Sequence, residues 1–216
     1  MNIDNLIRNF KRQIISSSFF WKLRHLFQPE WVSVYGKKKT PEFYHNFLVE
    51  NNVQSILDFG CASGSLLYDL NQQNQNLIFY GIDINKKALA ACNLKFSELK
   101  QSSNFFFHHE YNQENLLSFL SKNKLHSFDL VVFDRVLYCL KEENLKILLN
   151  SVSKITKLVI IDDFQTIHDR DLKGYKHRDW VSLLTSLNFI NIMNIPTIHR
   201  TVERANARTL IFKKAS

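Results

Sequence analysis

Residues 56 to 64, ILDFGCASG, place an acid and two glycines directly after an apolar run, in a chain that has five glycines in all. Gly60 and Gly64 would let the backbone turn tightly and present N–H groups to a ligand at a helix N-terminus. A dinucleotide-binding loop would need a glycine where Ala62 stands, and Asp58 would repel a pyrophosphate. The stretch therefore favours a ligand with positive charge, such as a sulfonium with an amino group.

The elements that must position this stretch follow from the alternation of short apolar runs with segments of helical periodicity. Because strands and helices alternate, we predict an α/β fold with a doubly wound, mostly parallel seven-stranded sheet. The last two strands are joined without a long crossover helix, so the last strand is expected to be antiparallel. The predicted strands are 55–59, 77–82, 104–108, 128–133, 157–162, 189–195 and 208–213, and the predicted helices are 64–74, 85–101, 113–123, 142–154 and 176–187.

Charge divides the chain into two parts. Of the net charge of +8, residues 1–40 hold eight basic and two acidic residues, a net +6. We therefore expect a basic amphipathic helical arm at 1–45 and a ligand-binding domain at 46–216. The nearly neutral domain makes nucleic acid a less favoured partner. Three widely spaced cysteines predict reduced thiols and a cytoplasmic protein, and no apolar run is long enough to cross a membrane.

DFGCASG resembles the first motif of the Rossmann-like (class I) S-adenosylmethionine (SAM)-dependent methyltransferases, and GIDIN (81–85) resembles the second. FDLVVFDRVLYCL (128–140) is similar to the fourth motif, although Ala62 and Ser65 replace glycines common in the family. The resemblance implies that Asp83 binds the ribose of SAM, and that Ile84 and Glu110 lie near its adenine. The cofactor-binding residues that it implies are Asp58, Gly60, Cys61, Ala62, Gly64, Asp83, Ile84, Glu110 and Asp134.

A hydroxyl acceptor of the methyl group must also lose a proton. The candidate catalytic residues follow the fourth and fifth predicted strands: Asp134, Asp163 and His168. Alternatively, Asp134, Asp162 and Asp163 resemble the ligands of magnesium-dependent sugar O-methyltransferases, and three carboxylates would suit Mg²⁺. Whether a metal is bound stays open. A third feature, the repeat of arginines at 200, 204 and 208, could grip a phosphate or carboxylate of the acceptor.

Three functions fit these patterns. The first is O-methylation of a small molecule or of a sugar or glycan precursor, in a bacterial setting. The alternatives are an RNA or protein methyltransferase and a non-catalytic SAM-binding protein.

Within the arm, Ile3, Ile7, Phe10 and Ile14 form an apolar stripe beside basic residues, so residues 1–30 could bind an anionic membrane surface at the inner membrane face. The arm could equally cover the SAM pocket as a lid.

Overall fold

Seven strands form one sheet in the computed structural model, which describes residues 42–73, 76–97, 104–110, 114–164, 178–196 and 207–215. It also describes five helical positions near the N-terminus, which are Ile7, Phe10, Ile14, Phe19 and Phe20. The strands are β1 (Ser55–Phe59), β2 (Ile78–Asp83), β3 (Asn104–His108), β4 (Leu130–Asp134), β5 (Leu158–Phe164), β6 (Phe189–Pro196) and β7 (Ala207–Lys214). The helices are α1 (Glu42–Glu50), α2 (Ser65–Gln73), α3 (Lys86–Ser97), α4 (Leu116–Lys122), α5 (Glu142–Ile155) and α6 (Trp180–Thr185).

The strand order is β3-β2-β1-β4-β5-β7-β6. Strands β1 to β5 are parallel, whereas β7 runs antiparallel to both β5 and β6. The predicted doubly wound sheet and its antiparallel last strand are therefore confirmed. The chain order reverses between β1 and β4, and the carboxyl ends beside such a reversal are where open α/β sheets bind ligands.

The sheet is covered on both faces. One apolar core joins alternate β-strand residues to buried side chains of α4, α5 and α6, and the other joins the opposite alternation to α1, α2 and α3. Every residue of β5 is buried, as expected for a central strand covered by helices on both sides. We call the surface under α1, α2 and α3 the α1 face.

Local capping explains where two helices begin later than the sequence predicts. Asn115 accepts a hydrogen bond from the Ser118 amide at 2.9 Å, and α4 begins at the next residue. Asp179 accepts one from the Ser182 amide at 3.1 Å, and α6 likewise begins directly after it. Both caps satisfy amides that the first helical turn leaves without partners.

Helix α1 ties the segment before β1 to the domain. Its side chains Tyr44, Phe47 and Leu48 are buried in the core of the α1 face. The predicted boundary between arm and domain, at residues 45 and 46, falls inside this helix. No helix in the described ranges is long and apolar enough to span a membrane.

Candidate active site

The loop after β1 has the tight turn that its glycines predict. Gly60 and Gly64 adopt positive φ angles of 83° and 75°, and Ala62 between them has φ 49°. The amides of Gly60 and Cys61 both donate to the carbonyl of Ile82, at 2.7 and 3.1 Å. The loop is therefore fixed against the end of β2, and it leads into α2 at Ser65.

Close packing is a second reason for the glycines. A Cβ on Gly60 would lie 2.7 Å from Val136 Cγ2, and one on Gly64 would lie 2.8 Å from Cys92 Sγ. In β2, a Cβ on Gly81 would lie 2.7 Å from Cys61 Sγ. The Cys61 thiol is thus buried beneath the loop, so any contact of Cys61 with a cofactor would come from its backbone.

Asp83, at the end of β2, joins three backbone segments. Its Oδ2 accepts a hydrogen bond from the Ala62 amide at 2.9 Å, and its Oδ1 accepts one from the Asn85 amide at 2.8 Å. Its carbonyl accepts from the amide of His109, which follows β3. Ile84 and Glu110, both only partly buried, follow the same two strand ends. The residues predicted to meet ribose and adenine are therefore neighbours.

A row of polar side chains crosses the carboxyl ends of β1, β4 and β5 and the amino end of the antiparallel strand β7. The register pairs Asp134 with Asp162, and Asp162 with Thr209, while Asp58 pairs with Val132, two residues before Asp134. Side chains alternate along a strand, so Asp58, Asp134, Asp162 and Thr209 all lie on the α1 face. We call these four residues the acid row.

Arg135 is the basic member of this site. Its Nε donates to Asp162 Oδ1 at 2.8 Å, and Asp162 Oδ2 accepts from the Thr209 hydroxyl at 2.8 Å. The guanidinium carbon lies 5.8 Å from the ring centroid of Phe164. Arg135 also has φ 61°, an unfavourable angle for a residue with a Cβ that is held here by the Asp162 carbonyl accepting from its amide at 2.9 Å.

The site is electrostatically negative. Burial raises the pKa of Asp162, Asp134 raises it further, and Arg135 opposes both. Burial also raises the pKa of the Tyr44 hydroxyl, with added contributions from Asp162, Asp134 and Asp58. Because all three acids raise the pKa of Tyr44, α1 places the Tyr44 hydroxyl within their electrostatic field. Asp162 is paired with Arg135, so the excess negative charge lies at Asp58 and Asp134 and favours a cationic ligand there.

Asp163 lies apart from the acid row. It follows Asp162 on the same strand, so its side chain points to the opposite face of the sheet. It is fully buried and accepts hydrogen bonds from the amides of Tyr138 and Phe164, at 3.1 and 2.8 Å. Burial raises its pKa to about 7. The Tyr138 contact supports the short 3₁₀ turn Leu137–Cys139 after β4, and the predicted catalytic role of Asp163 stays a prediction.

Two further predictions meet the structure only in part. His168, Arg200 and Arg204 lie outside the described residues, whereas the Arg208 guanidinium donates to the side chain and carbonyl of Asn194 at 2.7 and 2.9 Å. The proposed magnesium ligands are split, because Asp163 faces away from Asp134 and Asp162. Within the described ranges, no group of three or more His, Cys, Asp or Glu side chains is arranged to hold a metal ion.

Sequence reasoning missed Tyr44, Arg135 and Thr209. Tyr44 precedes the first motif, and Thr209 comes from the antiparallel strand, so neither belongs to a motif. Arg135 was visible inside FDRVLY, next to a predicted site residue. An arginine following a strand-end acid in an otherwise apolar segment is the signal that would have identified it.

The site fits SAM on its own chemistry. The acid row offers negative charge to the sulfonium and amino groups, and Asp83 retains lone pairs for hydroxyl donors at the end of β2. The residues that would hold SAM are Asp58, the 60–64 loop and Asp83.

Comparison with known proteins identifies the family of this chain. The profile of the family described as "Methyltransferase domain" matches residues 50–204. The chain therefore belongs to this family of methyltransferase domains. The magnesium protoporphyrin IX methyltransferase of Synechocystis PCC 6803 with bound SAM is similar in structure, with a TM-score of 0.63 and 16% identity over 96% of this chain and 97% of that one.

Two other similar proteins differ in what they methylate. The mitomycin 7-O-methyltransferase structure has a TM-score of 0.58 and 13% identity, covering 76% of this chain and 50% of that one. A tRNA (guanine-N(7)-)-methyltransferase of Prochlorococcus marinus is 39% identical over 51 residues, which are 24% of this chain and 24% of that protein. The chain thus matches less than two thirds of either protein's length, and the similarity fixes neither acceptor.

Proposed function

We propose that the protein transfers the methyl group of SAM to an oxygen atom of a small molecule or of a sugar or glycan precursor. The observation that carries this proposal is the pairing of Asp134 with Asp162 at the carboxyl ends of β4 and β5. In the strand order, β4 and β5 lie on one side of β1, which carries Asp58, and β2, which carries Asp83, lies on the other side. An acceptor placed at β4 and β5 would approach a SAM molecule held over β1 and β2.

SAM supplies an electrophilic methyl group on a positively charged sulfur. The chain's own residues must align the acceptor oxygen with that methyl group and receive the proton of a hydroxyl acceptor. The carboxylates of Asp134 and Asp162 are placed for this, and burial raises the pKa of Asp162 toward that of a stronger base. His168 remains the alternative predicted base, and it follows β5 in sequence.

The acceptor class is supported by charge and by similarity. The domain is nearly neutral, whereas a surface that binds an RNA backbone is usually rich in basic residues. A mitomycin 7-O-methyltransferase is among the similar structures. The similarity of a short segment to a tRNA (guanine-N(7)-)-methyltransferase makes RNA the second candidate.

Methyl-labelled SAM incubated with the full chain and with separate small-molecule, glycan, RNA and protein pools would test the proposal. We expect label in the small-molecule or glycan pool, and less of it with Asp134→Asn or His168→Gln if either residue receives the proton. Loss of activity with EDTA and its return with Mg²⁺ would favour the metal alternative. Label in RNA alone would contradict the proposal.

The arm adds a proposal about where the enzyme works. Ile7, Phe10 and Phe19 are helical and 48%, 63% and 67% exposed. The neighbouring sequence supplies most of the chain's net positive charge. Exposed apolar side chains beside basic ones favour reversible binding to an anionic membrane surface. We therefore propose a cytoplasmic enzyme that associates with the inner face of the membrane.

A further inference from the structure

Arg135 has hydrogen-bonding capacity that the surrounding protein leaves unused. Its side chain is 5% exposed, and its Nε donates to Asp162. The terminal nitrogens Nη1 and Nη2 are buried and, among the residues that the structure describes, have no hydrogen-bond acceptor. Asp162 meets this guanidinium through Nε alone, and its second oxygen accepts from Thr209 instead.

Arg178, a second buried arginine among the described residues, shows a guanidinium whose three nitrogens all have partners. Arg178 donates from Nη1 to the Leu137 carbonyl at 2.8 Å, from Nη2 to the Leu140 carbonyl at 2.6 Å, and from Nε to Glu142 at 3.2 Å. All three of its nitrogens are used to hold the turn after β4. Arg178 is structural, whereas Nη1 and Nη2 of Arg135 have no acceptor within the described ranges.

Such an arrangement is unfavourable without a ligand. Buried donors of a charged group that lack acceptors lose their hydration with no replacement. The Phe164 ring beneath Arg135 contributes only a weak attraction to the cation. The positive φ of Arg135 adds backbone strain at the same residue, and strain of this kind concentrates at functional sites.

We propose that Nη1 and Nη2 of Arg135 bind an oxyanion of the methyl acceptor, a carboxylate or a phosphate. A planar guanidinium fork matches two oxygens of either group. The position of Arg135 favours the acceptor as the ligand over SAM itself. Arg135 follows β4 and binds Asp162 of β5, whereas the residues expected to hold SAM lie at the ends of β1 and β2. This inference rests on the proposed function and narrows it to an acceptor that carries negative charge.

The test uses the full chain saturated with S-adenosylhomocysteine (SAH), so that the cofactor's own carboxylate is already bound. Inorganic phosphate and benzoate are then titrated by calorimetry. We expect saturable binding of at least one, weakened about tenfold or more in Arg135→Gln, as for the loss of hydrogen bonds to a charged group. Lys146→Gln, which removes the same charge from an exposed position on α5, should bind as the wild type does.

Arg135→Lys keeps the positive charge but loses the two-nitrogen fork, so its anion affinity should lie between those of the wild type and Arg135→Gln. Tighter binding of phosphate would assign a phosphate group to the acceptor, and tighter binding of benzoate would assign a carboxylate. Arg135→Gln leaves Asp162 buried without its counter-ion, so the double variant Arg135→Gln with Asp162→Asn serves if the single variant does not fold.

Failure to detect saturable binding of either anion to the wild type would overturn the proposal, and so would equal affinity in Arg135→Gln. If SAH itself binds about tenfold more weakly to Arg135→Gln and neither anion binds to the wild type, the fork holds the cofactor's carboxylate, which also overturns it. Anion binding that depends on Arg135, together with methyl label found only in RNA, would retain the oxyanion site and reject the proposed function.

Discussion

The carboxylate of Asp83 is bound to the amide of Ala62 at 2.9 Å, which ties the end of β2 to the turn after β1. A residue that the sequence marks for ribose binding thereby also shapes the glycine loop. The predicted ribose contact and the geometry of the loop would therefore be coupled through this one side chain.

Replacing Asp83 by alanine should weaken SAM binding by roughly 1.5–3 kcal/mol, the usual range for a lost hydrogen bond to a charged group. Since two backbone amides also lose their acceptor, the melting temperature should fall as well. Asp129→Ala is the matched control, because Asp129 accepts from the backbone amides of residues 54 and 55, where β1 begins, at the opposite end of the sheet. Calorimetry showing unchanged SAM affinity in Asp83→Ala would remove the assignment.

Gly60→Ala should destabilise the fold for two separable reasons. A Cβ at φ 83° is strained, and it would lie 2.7 Å from Val136 Cγ2. The backbone strain alone is worth about 1–2 kcal/mol. Adding Val136→Ala should restore only the part that comes from the clash, which denaturant unfolding of both single variants and the double variant would measure. A Gly60→Ala protein as stable as the wild type would show that this turn does not need glycine.

Asp163 predicts a pH dependence of stability. Its folded pKa is about 7, against an ordinary value of 3.8. Between these values the folded state holds a proton that the unfolded state has lost, so this residue's contribution to stability falls as the pH rises from about 4 to 7. His109 acts in the opposite direction over a similar range, because burial lowers its pKa from 6.5 to about 4.

Asp163→Asn mimics the protonated carboxyl and removes only the Asp163 contribution. Its melting temperature relative to the wild type should therefore increase as the pH rises through that range. Asp179→Asn is a contrasting control: hydrogen bonds from Ser182 lower the pKa of Asp179 from its ordinary value of 3.8, so its difference from the wild type should change only as the pH falls below about 4. A difference between Asp163→Asn and the wild type that is independent of pH would refute the burial-raised pKa.

Deletion of residues 1–30 distinguishes the two roles of the arm. Each cation near an anionic surface contributes about 1 kcal/mol, and apolar burial adds to that. The full chain should co-sediment with anionic vesicles at low salt and be released at high salt, whereas the deletion should not bind. If the arm is a lid, the deletion should instead weaken SAM binding. A full chain that stays in the supernatant at low salt would contradict the membrane proposal.

Much of the fold could be predicted from the sequence because each central strand is a short apolar run that ends at a glycine or an acid. Asp58, Asp83 and Asp134 mark such ends, and all three lie at the carboxyl edge of the sheet as predicted. The short connection between β6 and β7 was sufficient to predict the antiparallel strand.

The acceptor side of the site could not be predicted in the same way. Arg135 and Thr209 acquire their roles from Asp162, which is 27 and 47 residues away from them. Alternation implies that Asp162 and Asp163 point to opposite faces, but only the packing of α1 shows which face holds the acid row. Tyr44 belongs to that helix and to no motif.

The acid row should favour a cationic methyl donor, and the most direct test compares SAM with SAH, which lacks the sulfonium charge. Asp58→Asn removes one buried negative charge with little change of shape, and Asp129→Asn removes one at the opposite end of the sheet. Calorimetry on both variants should show that Asp58→Asn weakens SAM binding about tenfold more than SAH binding, as expected for charges several ångströms apart in a partly buried site. The Asp129→Asn variant should leave the ratio of the two affinities unchanged. An equal effect of Asp58→Asn on SAM and SAH, or no effect on either, would contradict the account.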